Sequence, residues 1–529
     1  MSERVHRSVM NVKVGMLFYI LSLFLAFFSR KIFLDCLGAE FIGLTDMLSN
    51  IMNFLSVAEL GIGTSIIFFL YKPLQEDDHD KINEIVSMLA YLYRCIGFII
   101  GGIGLLISLF FPFWFNNLTT GLFIVYFAFY SFLVSSMIGY ILNYRQLLVS
   151  ANQRQYLIHT YFQTISLLQS LTQIFLAWYF RNLYLWIVVG LVYTIIGCIL
   201  FNRRINKEYP WLKIDLKAGR QNLKRYPEVL KKTRQIFIQR INDFVLNRCD
   251  AIFIGSFVSV TQVAFYSNYM MLIYKLLLLV NILSDGLRAG IGNLLAEGND
   301  KNTMKVFWEL ATVRFFIMGG VIFSVIIGIQ SFIAYWLGTD YQLSMLIVSF
   351  IVLHLFFYLQ DAAVLMFISG AGLYQDVWAT WASFFITVSV TLLLAPQFGI
   401  IGIIIGKMSS LVIINVFWKP YFLFSQGFKK RVWIFWRGMA PLYIIFAVFA
   451  CIAVLIKKHV IDVYADSFLS LIVYGALTFL PLMALYFLTL FVSTKGMRYF
   501  VARKPVIYHT LNSVLFIKTD TRSNNNTKE

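Results

Sequence analysis

Charge is what this sequence has least of. Only 13% of its 529 residues are Asp, Glu, Lys or Arg, about half of what a water-soluble domain carries. A soluble globular fold is thereby excluded. A hydrophobic share of 59% and a mean hydropathy of +0.75 exceed what a water-soluble core can hide, so the solvent is a bilayer. Cysteine is also scarce. Cys36, Cys95, Cys198, Cys249 and Cys451 are scattered, with no CxxC or CxxH spacing, and the six histidines do not cluster. Metal and redox chemistry therefore have no support. No HExxH, GxSxG or P-loop occurs, and the GxG phrases lie within apolar runs rather than after strands, so no catalytic centre, nucleotide site or cofactor is expected. The basic start (Arg4, His6, Arg7, Lys13) runs straight into an apolar stretch with no small-residue cleavage site, which argues against a cleavable signal peptide. No soluble domain is expected anywhere, and with no ATPase domain transport must draw on an ion gradient, the membrane potential or substrate flux.

What is present is a succession of long apolar runs. They predict an all-α polytopic membrane protein with about fourteen spans, near 12–35, 40–71, 85–111, 119–142, 157–180, 183–202, 234–258, 264–296, 306–333, 344–368, 374–395, 399–423, 439–456 and 468–492. An even count puts both termini on one face. About 31 of the 44 Lys and Arg fall in loops on that face and about 5 on the other, which makes the terminal face cytoplasmic; Lys457 and Lys458 run against the trend. The net charge of +18 follows from this bias and implies no nucleic acid. Residues 203–233 mix Lys and Arg with Trp211, Leu212, Ile214, Leu216 and Leu223, and read as a cytoplasmic surface helix on the anionic leaflet. The tail 505–529 reads as disordered.

A repeat runs through the chain. "AELGIG" (58–63) is echoed by "AGIGNL" (289–294). The pairs Gly61 and Gly290, Arg94 and Arg314, Ser150 and Ser369, and Gly190 and Gly406 recur in the same order, with offsets drifting from 229 to 216. They imply two six-helix lobes of parallel sense, 1–202 and 234–428, joined by the linker 203–233. Helices 13 and 14 (429–492) and a cytoplasmic tail (493–529) follow. Two-lobed repeats of this kind mark alternating-access transporters, with the substrate site expected between the lobes. Gly61, Gly63, Gly290 and Gly292 are candidates for either a moving hinge or close helix packing.

Ionisable and polar residues inside spans are costly and mark pathways or pairs. At 100° per residue, Asp46, Ser49, Asn50, Asn53 and Ser56 share a stripe of about 120°. Gln239, Arg240, Asp243, Asn247 and Asp250 share about 100°, and Asn281, Asp285 and Arg288 about 60°. Arg30, Lys31, Arg240, Arg248, Lys275 and Arg288 make a cationic set suited to a diphosphate, since guanidinium meets phosphate oxygens in bidentate fashion. The alternative is mutual neutralisation, as at the i,i+3 pairs Arg240 with Asp243 and Asp285 with Arg288. Arg94 and Arg314 read as snorkelling near the interface. Glu59 is a candidate for ion coupling or for a structural hydrogen bond, and Asp243, Asp250 and Asp285 are further candidates for binding a proton or sodium.

The stretch "RKIFLDCLGAEFIGLTDMLSNIMNFLSVAELGIGTSIIFFLYKPL" (30–74) resembles the first two helices of Wzx-type polysaccharide flippases, of the multidrug/oligosaccharidyl-lipid/polysaccharide exporter superfamily. "YRQLLVSANQRQYL" (144–157) and "AGIGNLLAEG" (289–298) resemble later positions, and the likeness spans roughly 10–430. It implies a two-lobed, V-shaped bundle. Such a protein flips undecaprenyl-diphosphate-linked oligosaccharide units across the bacterial inner membrane for O-antigen, capsule or a related glycan. The resemblance also implies a cationic cavity with Arg30 foremost, a monomer, and a glycan polymerase and glycosyltransferases as pathway partners. Helix 14, "FLSLIVYGALTFLPLMALYFLTLF", is expected either to form a groove for the lipid tail or to pack against lipid. The rivals are an ion-coupled multidrug antiporter of the same superfamily, a non-transporting scaffold, and a membrane glycan polymerase or ligase; for the last the outer loops are too short.

Overall fold

The protein, described by a computed structural model, is helical from end to end of its described residues, 3–56, 60–115, 118–223, 225, 244–246, 248–373 and 375–503. The chain divides into two compact units, Met1–Ser267 and Asn268–Glu529.

The first unit holds α1 (Glu3–Leu37), α2 (Ala39–Leu55), α3 (Leu60–Gln75), α4 (His79–Ser108), the single turn α5 (Phe111–Trp114), α6 (Leu122–Asn143), α7 (Gln146–Ala151), α8 (Gln155–Phe180), α9 (Leu183–Glu208), α10 (Leu216–Asn222), α11 (Asp250–Phe257) and the start of α12 (Val260–Ala296). On α4, Ile82, Ile85, Val86, Leu89, Tyr93, Ile96 and Ile100 are buried at spacings of three and four, one stripe of a 3.6-residue period. That stripe packs against α6, while α1 packs on α8 and α8 on α9.

The second unit holds the rest of α12, α13 (Asp300–Trp336), α14 (Met345–Leu359), α15 (Ala362–Gly370), α16 (Val377–Phe398), α17 (Ile400–Gly427), α18 (Trp433–Tyr464), α19 (Phe468–Ser493) and α20 (Lys495–Ala502). Its centre is α13, which touches α15, α18, α19 and α20. α16 and α17 form a close hairpin around Gly399 (φ +57). A Cβ on Gly402 would stand 2.3 Å from the Leu394 carbonyl oxygen, so the two backbones approach as only small residues permit.

Ten helices are long and apolar enough to cross a membrane among the described residues. They coincide with the expected spans 1, 3, 4, 6 and 9–14, and α8 and α12 cover the fifth and eighth. This is a multi-pass membrane protein. The repeat is visible as element order: a long helix (α4, α13), a span broken before a short helix (α6–α7, α14–α15), then a hairpin (α8–α9, α16–α17). Gly190 and Gly406 both sit where the second helix of the hairpin meets the first.

Three expectations change. The single helix expected at 40–71 is described as two pieces, α2 ending at Leu55 with Ser56 as its cap and α3 from Leu60, with 57–59 outside the described residues. The span expected at 344–368 is likewise interrupted at Gln360 and Asp361. The basic segment after α9 does not stand out as a surface helix over its described part. It folds back on α4: Trp211 stacks on His79 at 3.8 Å, Ser87 Oγ accepts from Asp215 N at 3.0 Å, and Gly219 lies against the Ser87 carbonyl. The hydroxyl, amide and ring on the first turns of α4 supply local partners that an isolated basic helix lacks. The tail 505–529 lies outside the described residues.

Candidate functional site

In the first unit the polar residues of α1 and α2 meet because of Gly38. Its φ of +87°, which an L side chain rarely adopts, reverses the chain in one residue between Leu37 and Ala39. Residues equally far from that turn then face each other. Arg30 and Asp46 each lie eight positions away, and their side chains form a two-pronged pair, Nη2–Oδ2 2.8 Å and Nη1–Oδ1 3.3 Å. Arg30 Nη2 also donates to the Ala264 carbonyl at 3.2 Å. That carbonyl comes within reach because α2 has Gly43 at the crossing: a Cβ there would stand 1.9 Å from the Val260 carbonyl oxygen. Gly43→Ala is therefore expected to push α12 off α2 and remove the Ala264 bond. The cost should exceed the ~1–3 kcal/mol typical of an overpacked core, because the clash is with backbone; a drop in melting temperature of the purified protein checks it.

The pair is mostly enclosed, with side-chain exposures of 13% for Arg30 and 26% for Asp46. Asn50 Nδ2 donates to the Asp46 carbonyl at 2.8 Å, whereas Asn53 is exposed. Asp250 is buried on α11 and accepts from Tyr266 Oη at 2.9 Å. The structure thus gathers Arg30, Asp46 and Asn50 into one cluster and gives Asp250 a separate partner. Lys31 and Arg248 are exposed, and Lys275 is half-buried on α12 in the second unit. Arg240, Asp243, Asn247 and Glu59 lie outside the described residues, as do the side chains of Asp285 and Arg288 on α12. Gly61 lies in the first turn of α3; Gly63 is buried, and a Cβ there would lie 3.3 Å from Tyr93 Oη and 3.4 Å from Leu147. Gly290 and Gly292 have open space where a side chain would go.

The second unit holds ionisable groups that the reading of spans 2, 7 and 8 passed over. Asp376 accepts from Lys419 Nζ at 2.7 Å and from Trp418 Nε1 at 3.3 Å. Lys407 is buried on α17, and Thr387 donates to Ser410 at 2.7 Å between α16 and α17. Arg314 is 9% exposed, a correction to its reading as a snorkelling residue, while Arg94 is exposed. Asp361 is 1% exposed at the break between α14 and α15. Each meets the criterion already used for α2, an ionisable residue inside an apolar run. Charge within a span was the signal that would have found them.

The second unit also contains an apolar cavity of about 1050 Å³. Ile326, Val352, Phe356 and Val454 are among its apolar lining residues, and Gln330, Ser349, Gln360, Tyr443 and Lys457 are the polar ones. Tyr443 Oη donates to Gln360 Oε1 at 2.6 Å, and Lys457 pairs with Asp462 at 2.7 Å. The walls come from α13, α14, α17 and α18. No residue of α19, the helix expected either to form a groove or to pack against lipid, lines it; few residues of α19 are buried.

The fold is one already known from solved membrane proteins. It is similar to the lipid II flippase MurJ in its inward closed conformation, with a TM-score of 0.64 at 16% identity, covering 89% of this chain and 99% of that one. It is also similar to an inward-facing multidrug resistance MATE family transporter of the MOP superfamily, with a TM-score of 0.54 at 15% identity, covering 78% of this chain and 97% of that one. No protein-family model and no curated protein matches the sequence. The chain shares its fold with these two structures, one described as a flippase and the other as a transporter.

Proposed function

We propose that this chain flips a polyprenyl-diphosphate-linked oligosaccharide, undecaprenyl-linked in a bacterial inner membrane, from the cytoplasmic to the outer leaflet. The product feeds O-antigen, capsule or a related surface glycan. The observation that carries this reading is the likeness in fold to a lipid II flippase across 89% of the chain, with a higher TM-score than that to the multidrug transporter. The apolar cavity supports it. A bilayer already dissolves a free apolar chain, so a membrane protein gains from an apolar hollow of this size only if it must hold an acyl or prenyl chain in one place while a polar headgroup moves. Lys457, one of the residues lining the cavity, and the α12 cation Lys275 are the groups proposed to meet the diphosphate, Lys457 in exchange for its bond to Asp462. The two lobes of the repeat carry out alternating access, both termini are cytoplasmic, the protein works as a monomer, and the glycan polymerase and glycosyltransferases act beside it.

An ion-coupled multidrug antiporter is the second reading, and the Arg30–Asp46 pair favours it, because an arginine neutralised by an acid gives less to an anion. The decisive measurement is leaflet accessibility of the lipid-linked repeat unit in cells depleted of this protein. The expected result is accumulation facing the cytoplasm with loss of surface glycan. Unchanged accessibility on depletion would sink the flippase reading and bring the antiporter forward.

A further inference from the structure

Asp361 is the most unusual acid in the described structure. It is 1% exposed, lies within the membrane-spanning stretch Met345–Gly370, and neither carboxylate oxygen has a hydrogen-bond partner among the described residues. It sits where a backbone break leaves it unable to help itself: it precedes α15 at φ −95° and ψ 6°, and its side chain makes no capping bond. The neighbouring Gln360 Nε2 is also buried without a partner. The groups that face Asp361 are known from each element around it. Arg314 on α13 and Lys419 on α17 act on it through their charge, Asn415 on α17 lies beside it without making a well-formed bond, and Tyr443 comes from α18. Lys419 is already held by Asp376 at 2.7 Å, and Tyr443 by Gln360. On its own element, His354 lies two turns earlier, under the charge of Lys407.

A buried carboxylate with no donor is among the most costly groups a protein can hold as an ion, whereas the neutral acid buries at the cost of a hydroxyl. The repeat sharpens the contrast. The corresponding break in the first unit, between α6 and α7, carries Asn143, which is also buried with its Oδ1 unpartnered. There a neutral amide fills the position; here the side chain can change charge.

We propose that Asp361 is the proton-binding site of this transporter. Binding is a simple association: the carboxylate takes one proton and becomes neutral. With Asp361 and Asp376 ionised, the charges of Lys419 and Arg314 are balanced; with Asp361 protonated, the cluster carries one net positive charge. Loss of the proton leaves an ion that must gain a donor, either by water entering the break or by a cation turning toward it. The two protonation states thus favour different arrangements of α14 and α15, and Gln360 between them lines the apolar cavity. A proton neutralises the carboxylate through a single O–H bond, whereas sodium needs a shell of several oxygen ligands. The described residues also contain no group of three His, Cys, Asp or Glu able to hold a metal ion. The binding half of the proposal is independent of the flippase reading; the coupling half rests on it.

The test is infrared spectroscopy of the full-length protein in lipid nanodiscs, stepping pH under fixed potassium. A protonated-carboxyl carbonyl band should be present at neutral pH, absent from Asp361→Asn, and retained in Asp376→Asn. A band that survives Asp361→Asn overturns the proposal. So does a band that vanishes when sodium replaces potassium at constant pH, which would make the site a sodium site. If Asp361→Asn does not accumulate, Asp361→Glu keeps the carboxyl and should keep a displaced band; its absence counts against the proposal. In proteoliposomes, an imposed pH gradient should speed flipping of a fluorescent short-chain polyprenyl diphosphate by the wild type, and that stimulation should be lost in Asp361→Asn. Stimulation that persists in the variant removes the coupling role. A wild type that shows the band but moves no lipid leaves the proton site standing and the flippase reading overturned.

Discussion

Arg30→Ala should destabilise the first unit by about 2–4 kcal/mol, somewhat less than a fully buried broken pair because Asp46 keeps some access to water. The loss has two parts. Asp46 is left as an enclosed charge without its two-pronged partner, and the Ala264 carbonyl loses its side-chain donor. The double variant Arg30→Ala with Asp46→Asn should recover most of the stability, since the stranded charge is gone. Thermal or chemical melting of the single and double variants measures this directly. The same cycle separates structure from transport. If Arg30 serves only to neutralise Asp46, the double variant restores surface glycan along with stability. If Arg30 also receives the diphosphate, the double variant folds and accumulates but glycan display stays lost. The flippase reading expects the second outcome.

Filling the cavity of the second unit should have the largest effect on transport of any change away from charge. Val352→Trp with Ala450→Phe places two rings in a space lined by apolar side chains. Stability should hold or rise, because empty volume is being filled. Affinity for a lipid chain should fall. Each buried methylene contributes about 0.8 kcal/mol, so excluding about four costs about 3 kcal/mol, roughly a hundredfold in binding. Leu469→Trp is the control: α19 exposes Leu469 at 71%, away from the cavity lining, and flipping should be unchanged. A cavity-filled variant that melts as the wild type and still displays glycan at full level would show that no lipid chain uses the hollow.

The limits of sequence reading follow from range. The stripe on α2 was visible because all its members lie within eleven residues of one helix, and helical period alone places them together. What the stripe meets was not visible. Arg30 reaches Ala264, 234 positions away, only because Gly43 lets α12 lie against α2. The same limit hid the cavity. The apolar pattern of helix 14 made it look as able to line a groove as helix 13, since both are strongly apolar. The choice fell to α18 because its Tyr443, Phe446 and Val454 face α13 and α14, whereas much of α19 faces outward. The break after Leu359 falls inside a long hydrophobic run with no proline at the break, so local propensity carries little sign of it.

What the sequence determined by itself was the solvent and the places of most of the long apolar helices. Each depends on hydropathy, charge count or spacing along one chain, and these survive without knowledge of any contact. Which charges are neutralised, which acid stands alone and where an apolar chain finds room were decided only by the tertiary structure. A charge inside a membrane takes its meaning from its neighbours. Asp46 has a guanidinium and Asp361 has no well-formed hydrogen bond among the described residues, although both read along the chain as an aspartate in an apolar run.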